Sequence, residues 1–315
     1  MSITTAQLEM LRRDLTQVFT VRSKGVSRIW EKLCTVVPSD GESENYGWLG
    51  AHANVREWVG PRKFEELRAF DFSIRNKVWE SSELFPVDKL SDGQVSGLKI
   101  MTGDLATKAN KHPNKLLLET INANPVCFDG QDFFDTDHSA GDSGAQANEI
   151  DFAVADPAHP TAVEIRNAFH AGLIQMLGFR DDRNEPFFEL DGSPLGDLTV
   201  LCPLILYPKT NEAFAAQLIV DGSAAGSNVV IEKPTVIPSI RVGSGYTGGD
   251  NTNLDLYYTG DEIKPYAFQA REALKFQVKG QDDIEHNELK LMTKARYNVG
   301  VLAWWYAVRV NLVQE

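Results

Sequence analysis

The sequence predicts an α+β fold, and two observations support this prediction. In the first two thirds of the chain, several stretches carry apolar residues at every third or fourth position, which is the period of a helix. In the last third, short apolar or alternating runs are separated by Gly and Pro, which is typical of strands. Helices and strands are therefore partly segregated along the chain, as in α+β proteins.

The first predicted element is a short amphipathic helix near the N-terminus. Thr4 or Thr5 is available as its N-cap, and Gly25 ends it. Its apolar positions have helical spacing: Leu8, Leu11, Leu15, Val18 and Phe19. The helix packs either on its own domain or, as an arm, on a neighbouring subunit.

A long antiparallel hairpin is predicted between Tyr46 and Phe85. Val55–Val59 forms one strand, and Gly60–Lys63 supplies the turn residues. In the second strand apolar and polar residues alternate: Phe70, Asp71, Phe72, Ser73, Ile74 and Arg75. A lone hairpin is marginal in water, so its apolar face must be covered by the same chain or by a neighbouring subunit.

Helices are predicted next in the middle of the chain. Ser91–Ala109 has the spacing of about five helical turns, Pro113 breaks or kinks this helix, and Leu116–Ile121 resumes as a second short one. A further helix spans Thr161–Leu177, with Thr161 and Glu164 as a capping box and Gly178 as its end.

The remainder is predicted to be mostly strands. Leu198–Leu206 reads as a buried strand, and Thr210–Leu218 as a short helix. The other strand-like stretches are Val229–Val236, Leu254–Tyr258, Leu274–Val278, Leu289–Val299 and Val301–Val310. Trp304 and Trp305 fall in the last of them, so both of its faces must be covered, one of them by the helix from Ser91.

Length and charge restrict the classes of function. At 315 residues the chain forms two intertwined domains or one domain with long excursions. It carries 44 acidic and 31 basic residues, a net charge of −13, and no run of Lys or Arg. This disfavours specific nucleic-acid binding, while an acidic surface suits a container for DNA as well as an ordinary soluble protein.

The cysteines and the N-terminus point to a reducing cytoplasm. Cys34, Cys127 and Cys202 are odd in number and far apart, so we expect neither a disulfide framework nor a zinc site. The first residues lack the basic and apolar segments of a signal peptide, and no apolar run approaches the roughly 20 residues that span a bilayer. We expect no export signal and no membrane span.

An acidic tract in the middle of the chain is the strongest candidate for chemistry. It places five carboxylates around His138: Asp129, Asp132, Asp135, Asp137 and Asp142. A calcium loop beginning at Asp135 would need Gly where Ala140 stands and Glu where Gln146 stands, so that template fails. We interpret the tract as a turn whose Asp side chains bond local backbone amides.

Two other motifs resemble catalytic or cofactor sites. Gly141–Gly144 reads Gly-Asp-Ser-Gly, the nucleophile motif of chymotrypsin-like proteases, with His52 as a conceivable base. The long helix between them is foreign to that fold. Gly243–Gly248 has glycines at dinucleotide spacing but precedes Asp250 and Asn251 and no helix, which indicates a surface loop. No metal-ligand spacing joins the remaining histidines: His112, His159, His170 and His286.

The tract Phe128-Asp-Gly-Gln-Asp-Phe-Phe-Asp-Thr-Asp-His138 resembles the corresponding tract of the major head subunits of Mu-like phages and prophages. Other segments occur in the order of that family: Leu98–Ala109 resembles its spine helix and Thr161–Leu177 a helix of its peripheral domain. Leu201–Pro208 resembles the entry to its axial domain. Together these segments cover nearly the whole chain.

The resemblance implies the tailed-phage major capsid fold, also called the Johnson or Hong Kong phage-type fold. It divides the chain into an arm (1–44), an extended hairpin loop (45–88), a peripheral domain (89–180 and 276–315) and an axial domain (181–275). It implies a subunit without catalysis, cofactor or metal, assembled in the host cytoplasm into hexamers and pentamers of a virion head. Scaffold and portal proteins are the implied assembly partners, and the head encloses double-stranded DNA without reading its sequence.

Residues of the arm and hairpin are predicted to contact neighbouring subunits. They are Leu11, Leu15, Phe19, Trp58, Arg62, Lys63, Phe70, Phe72 and Ile74. Covalent Lys-to-Asn crosslinks occur in some related capsids, and Lys63 and Lys77 are candidates for them by position alone. Two alternatives stay open: a shell of an encapsulin-like compartment or a tail-tube subunit, and a hydrolase using the 129–143 loop, with Asp137 and Ser143 as its testable residues.

Overall fold

The computed structural model describes residues 5–46, 72–86, 95–139, 142–188, 196–215, 233–279 and 288–315. Its helices are α1 (Thr5–Lys24), α2 (Trp30–Leu33), α3 (Val95–Ala123), α4 (Ala162–Leu177) and α5 (Tyr207–Phe214). Short 3₁₀ helices span Ile240–Val242 and Trp304–Tyr306. Within these residues no helix is both long enough and apolar enough to cross a membrane.

Thirteen strands are described. They are β1 (Cys34–Pro38), β2 (Ser43–Asn45), β3 (Ser73–Arg75), β4 (Lys77–Pro86), β5 (His138–Ser139), β6 (Ala145–Gln146), β7 (Glu149–Val154), β8 (Leu198–Pro203), β9 (Thr235–Ser239), β10 (Asn253–Tyr258), β11 (Tyr266–Lys279), β12 (Glu288–Val301) and β13 (Ala307–Gln314). Helices and strands are mixed, which confirms the predicted α+β class.

Most strands belong to two sheets. The five-stranded sheet has the order β7-β13-β10-β8-β9, in which β10 runs antiparallel to both of its neighbours. The four-stranded sheet has the order β1-β11-β12-β4, in which β1 runs parallel to β11 and the other pairs are antiparallel. Strands β2 and β3 form a small antiparallel pair, as do β5 and β6.

Buried residues fall into two clusters. The main core lies between the two sheets and the helices α4 and α5, and it includes the C-terminal part of α3. The satellite cluster joins α1, the N-terminal part of α3 and the far ends of β4 and β12. Its buried members are Leu15, Phe85, Leu98, Leu105, Leu289 and Leu291.

Helix α3 corrects the prediction that Pro113 separates two helices. It is a single helix of 29 residues with Pro113 inside. A proline removes one backbone hydrogen bond, here the one to the Ala109 carbonyl. Buried side chains hold the helix on both sides of it, with Leu105 on one side and Leu117 on the other. Packing therefore outweighs the local preference of the proline.

The tryptophan pair corrects a second prediction. Trp304 and Trp305 lie in a 3₁₀ turn and not in a strand, and β13 begins only at Ala307. Both indoles are nevertheless buried. The helix that packs on β13 is α4, whereas α3 packs on α1 and β12. Gly172 lets α4 approach closely, because a Cβ there would lie 2.9 Å from Val310 Cγ2.

Several predicted elements are confirmed. Helix α4 has the Thr161–Glu164 capping box and ends before Gly178, and the Leu198 strand is buried along its whole length. Helix α5 begins at Tyr207, three residues before the predicted start at Thr210. The strand predicted at Val229–Val236 is shifted: its first four residues lie outside the described residues, and β9 begins only at Thr235 and ends at Ser239.

The four-part division of the chain stays a prediction. The five-stranded sheet joins β7 and β13, from the predicted peripheral domain, to β8, β9 and β10, from the predicted axial domain. The predicted border at residue 275 falls inside β11, which is continuous from Tyr266 to Lys279. The hydrogen bonding thus links the two parts more closely than the sequence suggests.

Candidate functional site

The predicted contact residues of the arm pack against their own chain. Leu15 is fully buried in the satellite cluster, and Leu11 packs at its border. Phe19 is stacked on Phe276 of β11, with ring centroids 4.4 Å apart and planes 9° apart. The sequence left open whether the N-terminal helix packs on its own domain or on a neighbouring subunit. These three side chains pack on their own chain.

The hairpin candidates are divided by the limits of the described residues. Phe72 is half-buried and faces Tyr46, with ring centroids 6.3 Å apart. Ile74 is buried in the main core and packs over Gly300, whose missing side chain leaves room for it. The other candidates lie outside the described residues: Trp58, Arg62, Lys63 and Phe70.

A groove between α1 and α3 presents apolar side chains to solvent. Val21 of α1 is 63% exposed and Ile100 of α3 is 67% exposed. Both line the groove together with Gly103, where a Cβ would lie 3.4 Å from Arg22. The groove lies beside the satellite cluster and is mixed in character, because polar and charged side chains line it as well: Gln17, Arg22, Lys99, Asp104 and Thr107.

A second apolar surface lies at one end of the five-stranded sheet. Pro203 of β8 is paired with Ser239 of the parallel strand β9, and the residues after them are exposed aliphatics. We call this surface the sheet-end patch: Leu204, Ile205 and Ile240. Because β8 and β9 are neighbouring strands and both end here, the segments that follow them lie side by side and together form the patch.

The open edge of β4 is a third surface. Among the described residues β4 pairs with β12 on one side, and no strand pairs with its other side. Val78 and Leu84 are more than half exposed, and Lys77, Glu80 and Glu83 are interspersed with them. Charges along an edge strand oppose unspecific pairing with other chains.

The acidic tract, predicted to be a turn, is buried at its centre. His138 Nδ1 lies 2.6 Å from Asp129 Oδ2, and these two side chains are 0% and 2% exposed. The His138 ring is stacked on Trp304, with centroids 4.1 Å apart and planes 7° apart. Phe179 packs edge-on against the same indole. This imidazole is fixed inside the protein, away from any dissolved substrate.

The turn itself is held by Asp side chains, as predicted, and in addition by Asn148, which the sequence did not point to. Asp129 Oδ1 accepts a hydrogen bond from the Gln131 amide, and Asp135 Oδ1 accepts one from the Asp137 amide. Asn148 Nδ2 donates to the Phe133 carbonyl, and Asn148 Oδ1 accepts from the Asp135 amide. Phe133 and Phe134 are buried in the main core and anchor the turn there.

The catalytic templates find little support in this geometry. In the described part of the chain no group of three His, Cys, Asp or Glu side chains could hold a metal ion. Ser143 Oγ donates to the carbonyl of Gly144, and the conceivable base His52 lies outside the described residues. Burial raises the pKa of the Cys202 thiol to about 12, so the reactive thiolate is disfavoured.

A buried ion pair was missed by sequence reasoning. Arg309 of β13 donates to both carboxylate oxygens of Asp255 in β10, at 2.7 and 3.0 Å, and its guanidinium lies 4.0 Å from the Phe134 ring centre. Tyr257 donates to Asp255 Oδ2 at 3.3 Å and also contacts Tyr266 of the other sheet. The signal was available, because apolar residues flank each charge: Leu254 and Leu256 flank Asp255, and Val308 and Val310 flank Arg309.

The protonation of this network is determined by burial and pairing. Burial alone would lower the pKa of Arg309, but the attraction and hydrogen bonds of Asp255 outweigh it and raise that pKa. Burial, with the Asp255 charge nearby, also raises the pKa of Tyr257. The network therefore contains one paired charge of each sign and neutral phenols, an arrangement that connects the two sheets.

Comparison with protein families supports the resemblance seen in the tract at residues 128–138. Residues 8–160 match the model of the family described as the Mu-like prophage major head subunit gpT. The chain is 28% identical over 140 residues to the major capsid protein of Escherichia phage Mu, covering 44% of this chain and 46% of that protein. The predicted resemblance is thus confirmed.

A second relative gives the same result. The major head subunit of the Mu-like prophage FluMu of Haemophilus influenzae is 31% identical over 114 residues, which cover 36% of this chain and 37% of that protein. The matched segments therefore span less than half of either relative.

Solved structures establish the fold over a longer stretch. The procapsid of bacteriophage JBD30 aligns with 99% of this chain and 77% of its own, at a TM-score of 0.56 and 19% identity. The predicted tailed-phage capsid fold is thereby confirmed. Both described sheets lie within the aligned length, so the fold is not confined to the N-terminal half.

Proposed function

We propose that this chain, which has the fold of phage capsid subunits and matches the Mu-like prophage major head subunit family, is a major capsid subunit. Copies of it assemble into hexamers and pentamers of an icosahedral head in the host cytoplasm, and the head encloses double-stranded DNA. One observation carries the proposal: the family match and the capsid fold coincide in one chain, and the fold extends over nearly its whole length.

The acidic charge of the chain supports a container and not a reader of DNA. A net charge of −13 repels the phosphate backbone, so packaged DNA is confined without being bound tightly to the wall. Scaffold and portal proteins are the proposed partners during assembly. The proposal includes no membrane contact.

Contacts between copies would use the arm and hairpin together with the exposed apolar surfaces. Interfaces of ordinary size bury roughly 1,600 Å² in total, and a shell subunit with several neighbours needs several of them. Trp58, Arg62, Lys63 and Phe70 remain proposed contacts of the hairpin. Leu15, Phe19 and Ile74 would act indirectly, by holding the arm and β3 in place.

The proposed function includes no catalysis. His138 and Asp129, the pair with the most enzyme-like chemistry, are buried and engaged with each other. Replacing Asp137 or Ser143 with Ala is expected to leave assembly intact. Hydrolytic activity of the purified chain that either substitution removes, without loss of folding, would contradict this part of the proposal.

The experiment is expression of the full chain followed by gradient sedimentation and negative-stain electron microscopy. Closed particles in the fast fractions are expected, and Trp58→Asp should leave a folded subunit that stays in the slow fractions. Trp58→Phe is the matched control and should still form particles. Tubes, or a stable small oligomer, would contradict the proposal, and particles with an enzyme cargo in place of DNA would favour a compartment shell.

A further inference from the structure

One face of the four-stranded sheet concentrates lysines. In β12 buried and more exposed side chains alternate, and the buried ones pack in the two clusters. The exposed lysines of β12 therefore lie on the side of the sheet that faces away from α1 and α3. Lys294 of β12 lies directly opposite Lys275 of β11, and Lys290 lies directly opposite Lys279. We call these four exposed side chains the lysine face.

The lysine face is electrostatically unfavourable in the isolated chain. Like charges that lie directly opposite each other on neighbouring strands destabilise a sheet. No carboxylate among the described residues lies within 4.0 Å of the four ammonium groups. Glu80 of β4 is the other neighbour of Lys294 across the sheet, and the nearby Arg296 is paired with Glu272 at 3.4 Å. The face thus keeps an excess of positive charge in a chain whose net charge is −13.

Two ordinary roles of surface lysines do not account for this arrangement. Lysines on an edge strand hinder pairing with other chains, but Lys290 and Lys294 are paired on both sides, with β11 and with β4. Lysines can also increase solubility by increasing the net charge, but in an acidic chain they reduce its magnitude. The arrangement is instead that of a surface that attracts negative charge.

Aliphatic side chains beside the lysines indicate a protein partner. Leu84 lies opposite Lys290, and Val78 lies opposite Arg296, and both aliphatic side chains are more than half exposed. Met292 lies between the two lysines of β12, on the same side of the strand. The backbone of duplex DNA would offer phosphates to the lysines but little apolar surface to these side chains. A protein surface with carboxylates and apolar groups matches both, because protein interfaces combine an apolar centre with a polar rim.

A second copy of this chain has the required chemistry. Under the proposed function, other copies of the chain are its principal neighbours. Each copy has 44 acidic and 31 basic residues, so carboxylates outnumber the groups that could neutralise them. Identical subunits in a ring meet head-to-tail, which requires two different and complementary surfaces on each copy. The lysine face is one such surface, and an acidic surface of the next copy complements it.

We propose that the lysine face binds carboxylates of a second copy of this chain in the assembled shell. The inference rests on the proposed function and adds a contact surface on β11 and β12, outside the predicted arm and hairpin. Sequence reasoning missed this surface because its lysines alternate with other residues on two strands and form no run along the chain.

Reversing the charge of two lysines tests the inference. Lys275→Glu combined with Lys279→Glu places one carboxylate opposite Lys294 and another opposite Lys290. The unassembled subunit should therefore keep or raise its melting temperature. Like charges would then meet across the interface, so the yield of shells should fall at least about tenfold. If the lysines only supported the sheet, melting temperature and yield would change in the same direction.

Two control variants isolate the charge of the face. Lys275→Arg combined with Lys279→Arg keeps the positive charge and should assemble like the wild type. Lys108→Glu combined with Lys111→Glu changes the net charge by the same amount at exposed positions of α3, and it should also assemble. An equal loss of shells in this α3 control would overturn the inference, because net charge would then explain the effect.

The outcomes separate this inference from the proposed function. Wild-type chain that forms no shells would count against the proposed function. Wild-type shells together with Lys275→Glu and Lys279→Glu double-variant shells of equal yield and diameter would overturn the lysine face and leave the capsid assignment intact. If the double variant fails to fold, Lys275→Gln combined with Lys279→Gln takes its place, with the same readout.

Zero-length crosslinking identifies the partner directly. Shells are assembled from a mixture of isotopically light and heavy chains, and a carbodiimide then joins lysines to the carboxylates that they contact. Peptides that join a lysine of the face in a light chain to an Asp or Glu of a heavy chain are expected. Purely intrachain crosslinks, or crosslinks to a different protein, would overturn the proposal.

A gel-shift assay tests the alternative partner. Unassembled wild-type subunit is mixed with double-stranded DNA at about 0.15 M salt, where weak long-range attraction is screened. No retention of the DNA that depends on the lysine face is expected. Retention that Lys275→Glu combined with Lys279→Glu removes would assign the face to DNA and overturn the proposal.

Discussion

The main core and the satellite cluster share helix α3 and strand β12 but differ in how they are built. The main core is rich in aromatic rings and encloses the Asp255–Arg309 pair, and both sheets contribute to it. The satellite cluster consists of five leucines and one phenylalanine, and it depends on α1 and the ends of β4 and β12. The main core is built from several layers of helices and strands. The satellite cluster is a small contact between a few elements that extend away from the main core.

This difference indicates that the two clusters differ in local stability. Regions with few buried apolar contacts open locally at lower free energy than the core that holds the fold. The satellite cluster holds the N-terminal helix, which belongs to the predicted arm, and the end of β4, which belongs to the predicted hairpin. We therefore expect the main core to stay folded as the stable part of the subunit. The satellite cluster should open or rearrange more easily when the subunit binds its neighbours.

The largest effect is expected from Asp255→Ala in the main core. It leaves Arg309 buried without its partner, which lowers the free energy of unfolding by about 3–5 kcal/mol. Urea denaturation of the unassembled subunit measures the loss. Asp255→Leu combined with Arg309→Met is the control, because it removes both charges and should recover most of the stability. An Asp255→Ala loss below about 1 kcal/mol would mean that water already reaches the pair.

Two leucines of α3 compare the clusters most closely, because both are fully buried. Leu117→Ala in the main core should lower the global free energy of unfolding by about 2–5 kcal/mol. Leu98→Ala in the satellite cluster should lower it less and chiefly accelerate amide exchange in α1 and in the first turns of α3. Equal global losses would show that the two clusters unfold as one unit.

The comparison also shows what the sequence predicts well. Helix α4 was predicted almost to the residue, because its capping box, apolar period and terminal glycine are local signals. The length of α3 was not, because the continuation past Pro113 depends on leucines that pack on distant strands. Pro113 nevertheless lies between Leu105 of the satellite cluster and Leu116 of the main core, so the proline marks the border of the clusters and not the end of a helix.

In the candidate site, only the interactions between residues close together in the sequence were predictable. The Asx turn follows from the sequence of the tract, since its hydrogen bonds join near neighbours. The stack of His138 on Trp304 and the Asp255–Arg309 pair join residues far apart in sequence. The parallel strand β1 was missed for the same reason, because its partner β11 lies more than 200 residues away.

A smaller effect is expected at the helix cap that supports the main core. Thr161→Ala removes the acceptor for the Glu164 amide and should cost about 1 kcal/mol. Thermal denaturation measures the loss, and Thr161→Ser, which keeps the hydroxyl, should cost little. Because α4 packs mainly on α5, β7, β10 and β13, which contribute no residue to the satellite cluster, amide exchange in α1 should not change. Faster exchange there would contradict the separation of the clusters.

The smallest effect is a pH dependence at the border between the clusters. Burial, and secondarily Lys115, lowers the pKa of His112, whose Nδ1 lies 2.7 Å from the Tyr297 hydroxyl. The folded protein therefore holds His112 in its neutral form. The stability that this neutral imidazole contributes is complete above the ordinary histidine pKa of about 6.5. It is lost as the pH falls through the lowered pKa, because the unfolded chain then binds a proton more readily. Denaturation at several pH values, compared with His112→Gln, isolates the contribution. An identical pH profile of the two proteins would contradict it.

The most direct test of the central claim is a cryo-electron microscopy map of particles formed by the purified chain. The account predicts closed shells with five-fold vertices, in which each subunit shows the two sheets described here and the arm and hairpin contact neighbouring copies. A chain that remains monomeric at every concentration, or that forms open tubes with a different subunit fold, would contradict it.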